Sequence, residues 1–262
     1  MGGGEPVTVE VEGRIATVAL ARPQRRNAMD GATLAALDAA LAGLAAGAEA
    51  AGLAAVVLRG AGGFFCAGWD RQDLARLAVA GDADLAAAFA ANHATLDRLA
   101  ALPCATIAWI EGGALGFGLS LAARCDLAVA LDDARFGAPE LSYGIAPASI
   151  LGDLAAVLGR RRASQWLLDC AIRGAREALA DGLLTAVVPA SDADAALQRL
   201  LAPLRAAPPA AVRATVSMLR AAGSLDPAVA REQAIAGAIA SLRAPEVAQA
   251  LAGTLRPGSV SQ

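Results

Sequence analysis

Residues 105–126 read Ala-Thr-Ile-Ala-Trp-Ile-Glu-Gly-Gly-Ala-Leu-Gly-Phe-Gly-Leu-Ser-Leu-Ala-Ala-Arg-Cys-Asp. The apolar run at the start predicts a buried strand over Ala105 to Ile110, and the glycines that follow predict a turn into a helix from about Leu115. The first N–H groups of a helix have no intrahelical acceptor and lie at the positive end of the helix dipole. The turn is therefore a candidate site for stabilising negative charge.

The segments around this stretch predict an α/β core with parallel strands. Val7 to Val11 and Ile15 to Leu20 alternate apolar and polar residues on either side of a turn, which is typical of a β-hairpin. Further strands alternate with helices, and this order favours parallel pairing. The later elements are a helix from an Asp30 N-cap to about Gly47, a strand at Ala54 to Leu58, helices between Asp70 and Ala101, and a strand at Asp126 to Ala130.

The pattern changes along the second half of the chain. Beyond Pro147 it is mainly helical, apart from a short strand near Ala186 to Val188. From Ser191 to the end it predicts amphipathic helices separated by Pro and Gly. We therefore predict an α/β core over residues 1–190 and a helical region over residues 191–262.

The composition is that of an ordinary globular chain with a small-molecule partner. The 262 residues are 56% hydrophobic and carry a formal net charge of -3 with a pI near 5.3. This balance supplies no basic field to attract a nucleic acid. The sequence contains no Lys, which excludes Schiff-base chemistry and a lysine-bearing phosphate loop.

Neither a membrane span nor a metal site is predicted. The Ala-rich runs are amphipathic or interrupted by residues such as Gly47 and Glu49, so none supplies the roughly 20 apolar residues of a spanning helix. Met1 to Pro6 lacks the features of a signal peptide, and a cytoplasmic location is expected. The four cysteines and the single histidine, His93, are too widely spaced for metal binding, and the thiols are expected to be reduced.

Local sequence leaves three interpretations of the glycine-rich turn. Gly116 and Gly118 mimic a dinucleotide-binding turn, but a lone glycine pattern is weak support. Ser120 approximates a nucleophile elbow, but that arrangement needs a histidine after the serine and His93 precedes it. The third interpretation is an oxyanion hole, with one N–H donor from this turn and another from the glycine-rich loop at residues 60–70. Two such turns, each following a strand of one sheet, favour the oxyanion hole.

A series of short motifs follows a fixed order along the chain. The markers are Arg22-Pro23, Asn27-Ala28-Met29, Val56-Val57-Leu58, Gly60, Phe65-Cys66-Ala67-Gly68-Trp69-Asp70, Gly112, Ala114-Leu115-Gly116, Cys125-Asp126, Phe136-Gly137-Ala138-Pro139-Glu140, Gly144, Pro147, Asp181-Gly182-Leu183 and Val187-Val188-Pro189. Each is weak alone, but their order and spacing together are specific. From about Val7 through Val188 the chain resembles the crotonase, or enoyl-CoA hydratase/isomerase, superfamily.

This resemblance implies a fold, an assembly and a substrate class. The fold is a crotonase-like ββα spiral core over residues 1–190, followed by a helical region over residues 191–262 that makes homotrimers or dimers of trimers. The substrate is an acyl-CoA, so coenzyme A is part of the substrate and no separate cofactor is expected. The two oxyanion donors are assigned to the backbone N–H groups of Trp69 and Phe117, a role that needs neither side chain.

The resemblance also implies where coenzyme A lies. It places the nucleotide against the loop that holds Arg25 and Arg26, whose guanidinium groups suit phosphates. An exposed arginine pair is, however, equally typical of a solvated loop. The other positions implied to line coenzyme A are Cys66, Gly68, Asp70 and Gly116.

Two positions decide the expected chemistry. Family hydratases carry one glutamate after the glycine turn and a second in the Phe-Gly-x-Pro-Glu segment, and these positions here hold Ser120 and Glu140. Adding water needs two groups that share the proton transfers, whereas a single base can move a proton between two carbons of an enolate. The expected function is therefore enoyl-CoA double-bond isomerisation or a related proton transfer with Glu140 as base. The alternatives are an enoyl-CoA hydratase with an altered site and a catalytically silent acyl-CoA binder.

Two further departures from the family concern the acyl pocket. Ala148 stands where related dienoyl isomerases and aromatic-CoA dehalogenases carry an aspartate, which disfavours both of those reactions. The run Ser149 to Leu154 replaces the usual family sequence after Pro147. An unusual acyl group is therefore expected.

Overall fold

The main sheet contains six strands. The computed structural model describes residues 4–48, 51–222 and 235–239, and the fold is given for these residues. The strands of the main sheet are β1 Val7–Glu12, β2 Ile15–Leu20, β3 Ala55–Gly60, β4 Ala105–Ile110, β6 Leu127–Leu131 and β9 Ala186–Val188. Their order in the sheet is β1-β2-β3-β4-β6-β9. β1 and β2 are antiparallel and the other neighbours are parallel, which confirms the predicted hairpin and parallel core.

A second sheet of three short strands was not predicted. Its strands are β5 Gly113–Leu115, β7 Arg135–Gly137 and β8 Arg173–Gly174. β5 pairs in parallel with β7, and β7 pairs antiparallel with β8. The helix predicted from about Leu115 is present and begins two residues later, at Phe117, because Leu115 still belongs to a strand. Strands of two or three residues are too short to show an alternating pattern.

Eight α-helices between residues 31 and 222 surround the sheets. They are α1 Gly31–Gly47, α2 Arg71–Leu77, α3 Asp82–Ala100, α4 Phe117–Ala123, α5 Leu151–Asp169, α6 Ala175–Asp181, α7 Ala193–Ala206 and α8 Pro209–Ala222. The predicted N-cap of α1 is confirmed, since the Asp30 carboxylate accepts a hydrogen bond from the Thr33 N–H. Within residues 4–48, 51–222 and 235–239, no helix combines the length and hydropathy needed to cross a membrane.

Both faces of the main sheet are covered by helices. Along β3, Val56 and Leu58 join one hydrophobic cluster, while Ala55 and Val57 join the other. The first cluster includes residues of α1, α3, α4 and α5, and the second includes residues of α7 and α8. Strands that are buried on both faces explain the nearly continuous apolar runs of the sequence.

The described part of the C-terminal region packs directly on the core. In α8 the Arg220 guanidinium donates to the Asp126 carboxylate and to the carbonyl oxygens of Leu102 and Cys104. Residues 223–234 and 240–262 lie outside the described residues. The division at residue 190 and the oligomerisation role of residues 191–262 stay predictions.

Asn27 joins the loops that leave the carboxyl ends of β2 and β3. Its side chain is fully buried and its Oδ1 accepts from the Arg22 N–H over 2.8 Å. Its Nδ2 donates to the carbonyl oxygens of Ala61, over 2.9 Å, and Phe64, over 2.5 Å. Three backbone groups in two loops therefore depend on one amide, and these loops lead to the segment that contains Trp69.

Replacing Asn27 with alanine is expected to destabilise the fold. The Asn27→Ala change leaves the Arg22 N–H without its acceptor and the carbonyl oxygens of Ala61 and Phe64 without their donor. We therefore expect the free energy of unfolding to fall by about 3 kcal/mol. Chemical denaturation followed by circular dichroism measures this change. Gln24→Ala, at an exposed position in the same loop, is the control and should have an effect below about 0.5 kcal/mol. Equal effects of the two substitutions would contradict the structural role of Asn27.

Candidate active site

The peptide group before Trp69 has a free N–H. The Met29 N–H donates to Gly68 O over 2.8 Å, and the Asp70 N–H donates to Met29 O over 2.7 Å. The Gly68 carbonyl and the Trp69 N–H belong to the same trans peptide, so the N–H points away from Met29. Among the described residues, this N–H has no acceptor. It is therefore available to a ligand.

Phe117 presents a second free N–H. It is the first residue of α4 and has no intrahelical acceptor, and no other described residue accepts from its N–H. The preceding residue, Gly116, has φ 50° and ψ -120°, a conformation that glycine adopts without the steric cost of a Cβ. Gly116 is held in place because its N–H donates to Gly137 O over 3.0 Å.

The two turns are in direct contact, and glycine is required where they meet. A Cβ added at Gly68 would lie 2.9 Å from Leu115 O and 3.5 Å from the Cα of Gly116. Gly68 also has a φ of +89°, a backbone conformation that residues other than glycine rarely adopt. This close approach places Trp69 and Phe117 on the wall of one cavity.

The cavity beside these N–H groups has a volume of about 380 Å³. Its wall is mainly apolar and includes Ala148 and Ile150, so the run after Pro147 does border it. The Trp69 and Phe117 rings meet edge to face with their centroids 5.8 Å apart. The polar side chains that border the cavity belong to Arg71, Asn92, Glu140, Tyr143 and Ser149. A cavity of this size and character is typical of a small-molecule site.

Glu140 lies in the cavity next to the glycine turn. A Cβ built on Gly116 would be 2.4 Å from Oε1 of Glu140, so the carboxyl group packs against the turn that precedes Phe117. The other oxygen, Oε2, is buried and has no hydrogen-bond partner among the described residues. Burial raises the pKa of Glu140 above its usual value, because removing water disfavours the charged form. A carboxyl group with one unpartnered oxygen and a raised pKa is a candidate general base.

The structure does not bring Ser120 to the cavity. Its side chain is fully buried within α4, and its hydroxyl donates to Ser149 O over 3.4 Å. It therefore supports a residue of the cavity wall from behind. His93 lies exposed on α3, and no histidine contacts Ser120 in the described structure, so the nucleophile-elbow interpretation gains no support.

The predicted coenzyme A arginines lie on an exposed loop outside the cavity wall. The Arg25 guanidinium donates to Gln72 Oε1 over 3.1 Å. The Arg26 guanidinium lies over the Phe64 ring, 5.7 Å from its centroid. Both remain accessible to solvent, and their contact with coenzyme A stays a prediction.

Cys66 and Asp70 have structural contacts of their own. The Cys66 thiol is fully buried, and burial raises its pKa to about 12. The Asp70 carboxylate caps α2 through the Gln72 N–H at 2.9 Å and pairs with Arg22 at 3.4 Å. Neither side chain borders the cavity. Of the predicted coenzyme A positions, Gly68 and Gly116 are the ones that the structure places on the cavity wall.

Sequence reasoning missed three side chains of the cavity wall. The Arg71 guanidinium lies 5.3 Å from the centroid of the Tyr143 ring, and both residues border the cavity. Asn92 borders the cavity from α3 and is buried. The position of Asn92 was detectable in principle, because a polar residue there interrupts a mainly apolar helical stripe. The partner of Arg71 is far away in sequence, so no local pattern indicates it.

Comparisons with known proteins identify the family of the chain. The sequence model of the enoyl-CoA hydratase/isomerase family matches residues 10–242. A probable enoyl-CoA hydratase of Mycobacterium bovis is 34% identical over 192 residues, covering 72% of this chain and 70% of that protein. The 4-chlorobenzoyl coenzyme A dehalogenase-1 of Arthrobacter is 31% identical over 251 residues, covering 94% of this chain and 89% of that protein.

Solved structures show the same relationship. The enoyl-CoA hydratase of Mycobacterium smegmatis superposes with a TM-score of 0.89 at 28% identity, covering 95% of this chain and 96% of that one. AtuE of Pseudomonas aeruginosa also gives a TM-score of 0.89, at 32% identity, covering 96% of this chain and 97% of that one. These similarities confirm the predicted fold class. The chain belongs to the enoyl-CoA hydratase/isomerase, or crotonase, family.

Proposed function

We propose that this acyl-CoA enzyme of the crotonase family moves a double bond, or carries out a related proton transfer, on an enoyl-CoA thioester. The thioester oxygen accepts hydrogen bonds from the N–H groups of Trp69 and Phe117. Glu140 removes a proton from one carbon and returns it to another. The observation that carries this proposal is the buried, unpartnered Oε2 of Glu140 in the cavity that both N–H groups border.

The proton transfer needs one base and a stabilised intermediate. In a 3-enoyl thioester, the Glu140 carboxylate takes a proton from the α-carbon, which is next to the thioester carbonyl. The electron pair of the broken C–H bond moves onto the thioester oxygen, and an enolate forms. Two N–H donors stabilise that negative charge, and each donor of this kind contributes a few kcal/mol in a water-poor site. The protonated Glu140 then delivers its proton to the other end of the conjugated system, which shifts the double bond and restores the carboxylate.

The side chains of the cavity favour a single base. Among the described residues that border the cavity, Glu140 carries the sole carboxyl group. Ser120 occupies the position of the family glutamate that follows the glycine turn, but its hydroxyl lies behind the wall and donates to Ser149 O. Ala148 brings no carboxylate either, and we therefore do not propose dehalogenation despite the Arthrobacter relative.

The second candidate is an enoyl-CoA hydratase that adds water to a 2-enoyl-CoA. The relatives support it, including the probable enoyl-CoA hydratase of Mycobacterium bovis and a hydroxycinnamoyl-CoA hydratase-lyase of Pseudomonas fluorescens, which is 33% identical over 193 residues. Mass spectrometry of product from 2-enoyl and 3-enoyl thioesters separates the candidates. A hydratase adds the mass of one water, whereas an isomerase leaves the mass unchanged and changes the ultraviolet absorbance.

A third candidate from a different class is a catalytically silent acyl-CoA binder. Ser120 and the altered run after Pro147 motivate it. This candidate is favoured if acyl-CoA thioesters bind but no enoyl thioester in the panel turns over.

Assembly as a homotrimer or dimer of trimers belongs to the proposal in every case, and the exposed apolar side chains of Leu141, Ile145, Leu151 and Ile172 support it.

Replacing Glu140 with glutamine is expected to abolish most of the turnover. The Glu140→Gln change removes the base while keeping the shape, so kcat should fall about a hundredfold or more with unchanged acyl-CoA affinity. Initial rates and calorimetric titration measure the two quantities. Glu10→Gln, on the exposed strand β1, is the control. Wild-type turnover in Glu140→Gln would remove Glu140 from the mechanism.

The pH dependence of kcat/KM should report the ionisation of Glu140. Only its carboxylate acts as a base, and burial raises its pKa above the usual 4.5. Activity should therefore fall as the pH decreases through a midpoint above 4.5. Circular dichroism over the same range checks that the fold persists. A midpoint at or below 4.5 in the folded enzyme would contradict the burial of this group.

A methyl group at Gly116 should disturb both parts of the site. The added Cβ would lie 2.4 Å from Glu140 Oε1, on a backbone with φ +50°. Displacing the carboxyl group and the Phe117 N–H together should lower kcat about a hundredfold. The control is Gly152→Ala in α5, where an added Cβ meets nothing within 4 Å. If Gly116→Ala and Gly152→Ala have equal activity, the turn does not set the geometry of catalysis.

A further inference from the structure

Asn92 is a buried polar residue on a stripe of α3 that is otherwise apolar apart from Thr95, whose hydroxyl donates to Ala91 O. Its exposed fraction is 4%, and Leu96 and Leu99, which follow on the same helix, are fully buried in the core. Residues separated by three or four positions share a helix face. Packing alone would therefore favour an apolar residue at position 92.

The side chain of Asn92 borders the cavity beside the oxyanion N–H groups. Ala88 and Phe89, four and three positions earlier, border the same cavity. The Oδ1 of Asn92 is buried and has no hydrogen-bond partner among the described residues. Native proteins rarely leave a buried acceptor unpaired unless water or a ligand completes the hydrogen bond.

A second polar atom on this wall is also unpaired. Trp69 supplies the proposed oxyanion donor through its backbone, but its indole Nε1 is buried and has no acceptor among the described residues. An indole N–H is a donor only. The wall therefore offers a side-chain donor at Trp69 and a side-chain acceptor at Asn92, neither of which the proposed proton transfer uses.

The chemistry of these two atoms selects a ligand group. A hydroxyl both donates and accepts hydrogen bonds, so it can complete either atom. A methyl group completes neither, and a carboxylate accepts only, which leaves the Asn92 oxygen unpaired. The remaining wall is mainly apolar, including Leu74, Leu77 and Ile145. A hydroxyl in such a cavity is unfavourable unless a buried partner receives it.

We propose that Asn92 is a specificity-determining residue that accepts a hydrogen bond from a hydroxyl group on the acyl part of the substrate. The preferred substrates are then acyl-CoA thioesters that carry a hydroxyl on the acyl group. The Trp69 indole N–H donates to the same class of hydroxyl. This inference rests on the proposed function, since it takes the cavity to be the acyl pocket.

Binding of matched saturated thioesters tests this inference without turnover. The probes are ω-hydroxyacyl-CoA thioesters of increasing chain length, each compared with the thioester in which a methyl replaces the hydroxyl. Calorimetric titration gives both dissociation constants. At the best-fitting length, the wild-type protein should bind the hydroxyl member about tenfold more tightly.

Variants assign the preference to Asn92. Asn92→Leu keeps the branched shape but removes the acceptor, so the two members should bind about equally or with the methyl member favoured. Thr95→Val is the matched control, because Thr95 is buried one turn along α3, donates to Ala91 O, and does not border this cavity. It should keep the hydroxyl preference. Trp69→Phe removes the indole donor and keeps the backbone N–H, so it should weaken the preference in a second, independent way.

The outcomes separate this inference from the proposed function. If the wild-type protein binds both members of every pair equally, or if Asn92→Leu keeps the preference, the inference is wrong while acyl-CoA binding stands. If neither member binds at any length and no enoyl thioester turns over, the proposed function fails and the inference fails with it. Should Asn92→Leu not fold, Asn92→Ala also removes the acceptor and decides in its place: loss of the hydroxyl preference supports the inference, and a retained preference overturns it.

Discussion

The site depends on a steric constraint, the contact between the turn at Gly68 and the turn at Leu115 and Gly116. A Cβ at Gly68 would be 2.9 Å from Leu115 O, so the backbones touch with no side chain between them. On the far side of the contact, the Gly68 carbonyl accepts a hydrogen bond from the Met29 N–H, and the Gly116 N–H donates to Gly137 O. The free N–H groups of the following residues are left for a ligand. The close approach requires the glycines, and it brings Trp69, Phe117 and Glu140 to the wall of one cavity.

The chemistry of the site depends on how many carboxyl groups border the cavity. In the part of the chain that the structure describes, Glu140 is the sole carboxyl group on its wall, and burial raises its pKa. In the proposed function and in its hydratase alternative the N–H donors stabilise charge equally, so the choice of reaction depends on the side chains around them. Ser120 illustrates this point, because its replacement of a family glutamate removes a group from the cavity instead of substituting another base.

The alternation of strands and helices along the chain, the N-cap at Asp30 and the two glycine turns could be predicted, because each leaves a local signature in the sequence. The short strands β5, β7 and β8 could not, since two or three residues show no period and are strands only through their partners. Cys66 and Asp70 were expected to line coenzyme A, which stays a prediction, and the structure adds that their side chains are buried or engaged in capping. Motif position locates a residue along the chain and does not tell which way its side chain points.

The sequence by itself determined the family, the glycine turns and the presence of one glutamate where a hydratase has two, because these are properties of residue identity and spacing. The tertiary structure decided which groups share the cavity. It placed Glu140 against Gly116, turned Ser120 behind the wall, and left Asn92 and the Trp69 indole unpaired. The physical reason is that hydrogen bonding and burial depend on contacts between segments far apart in sequence, and no local pattern records those contacts.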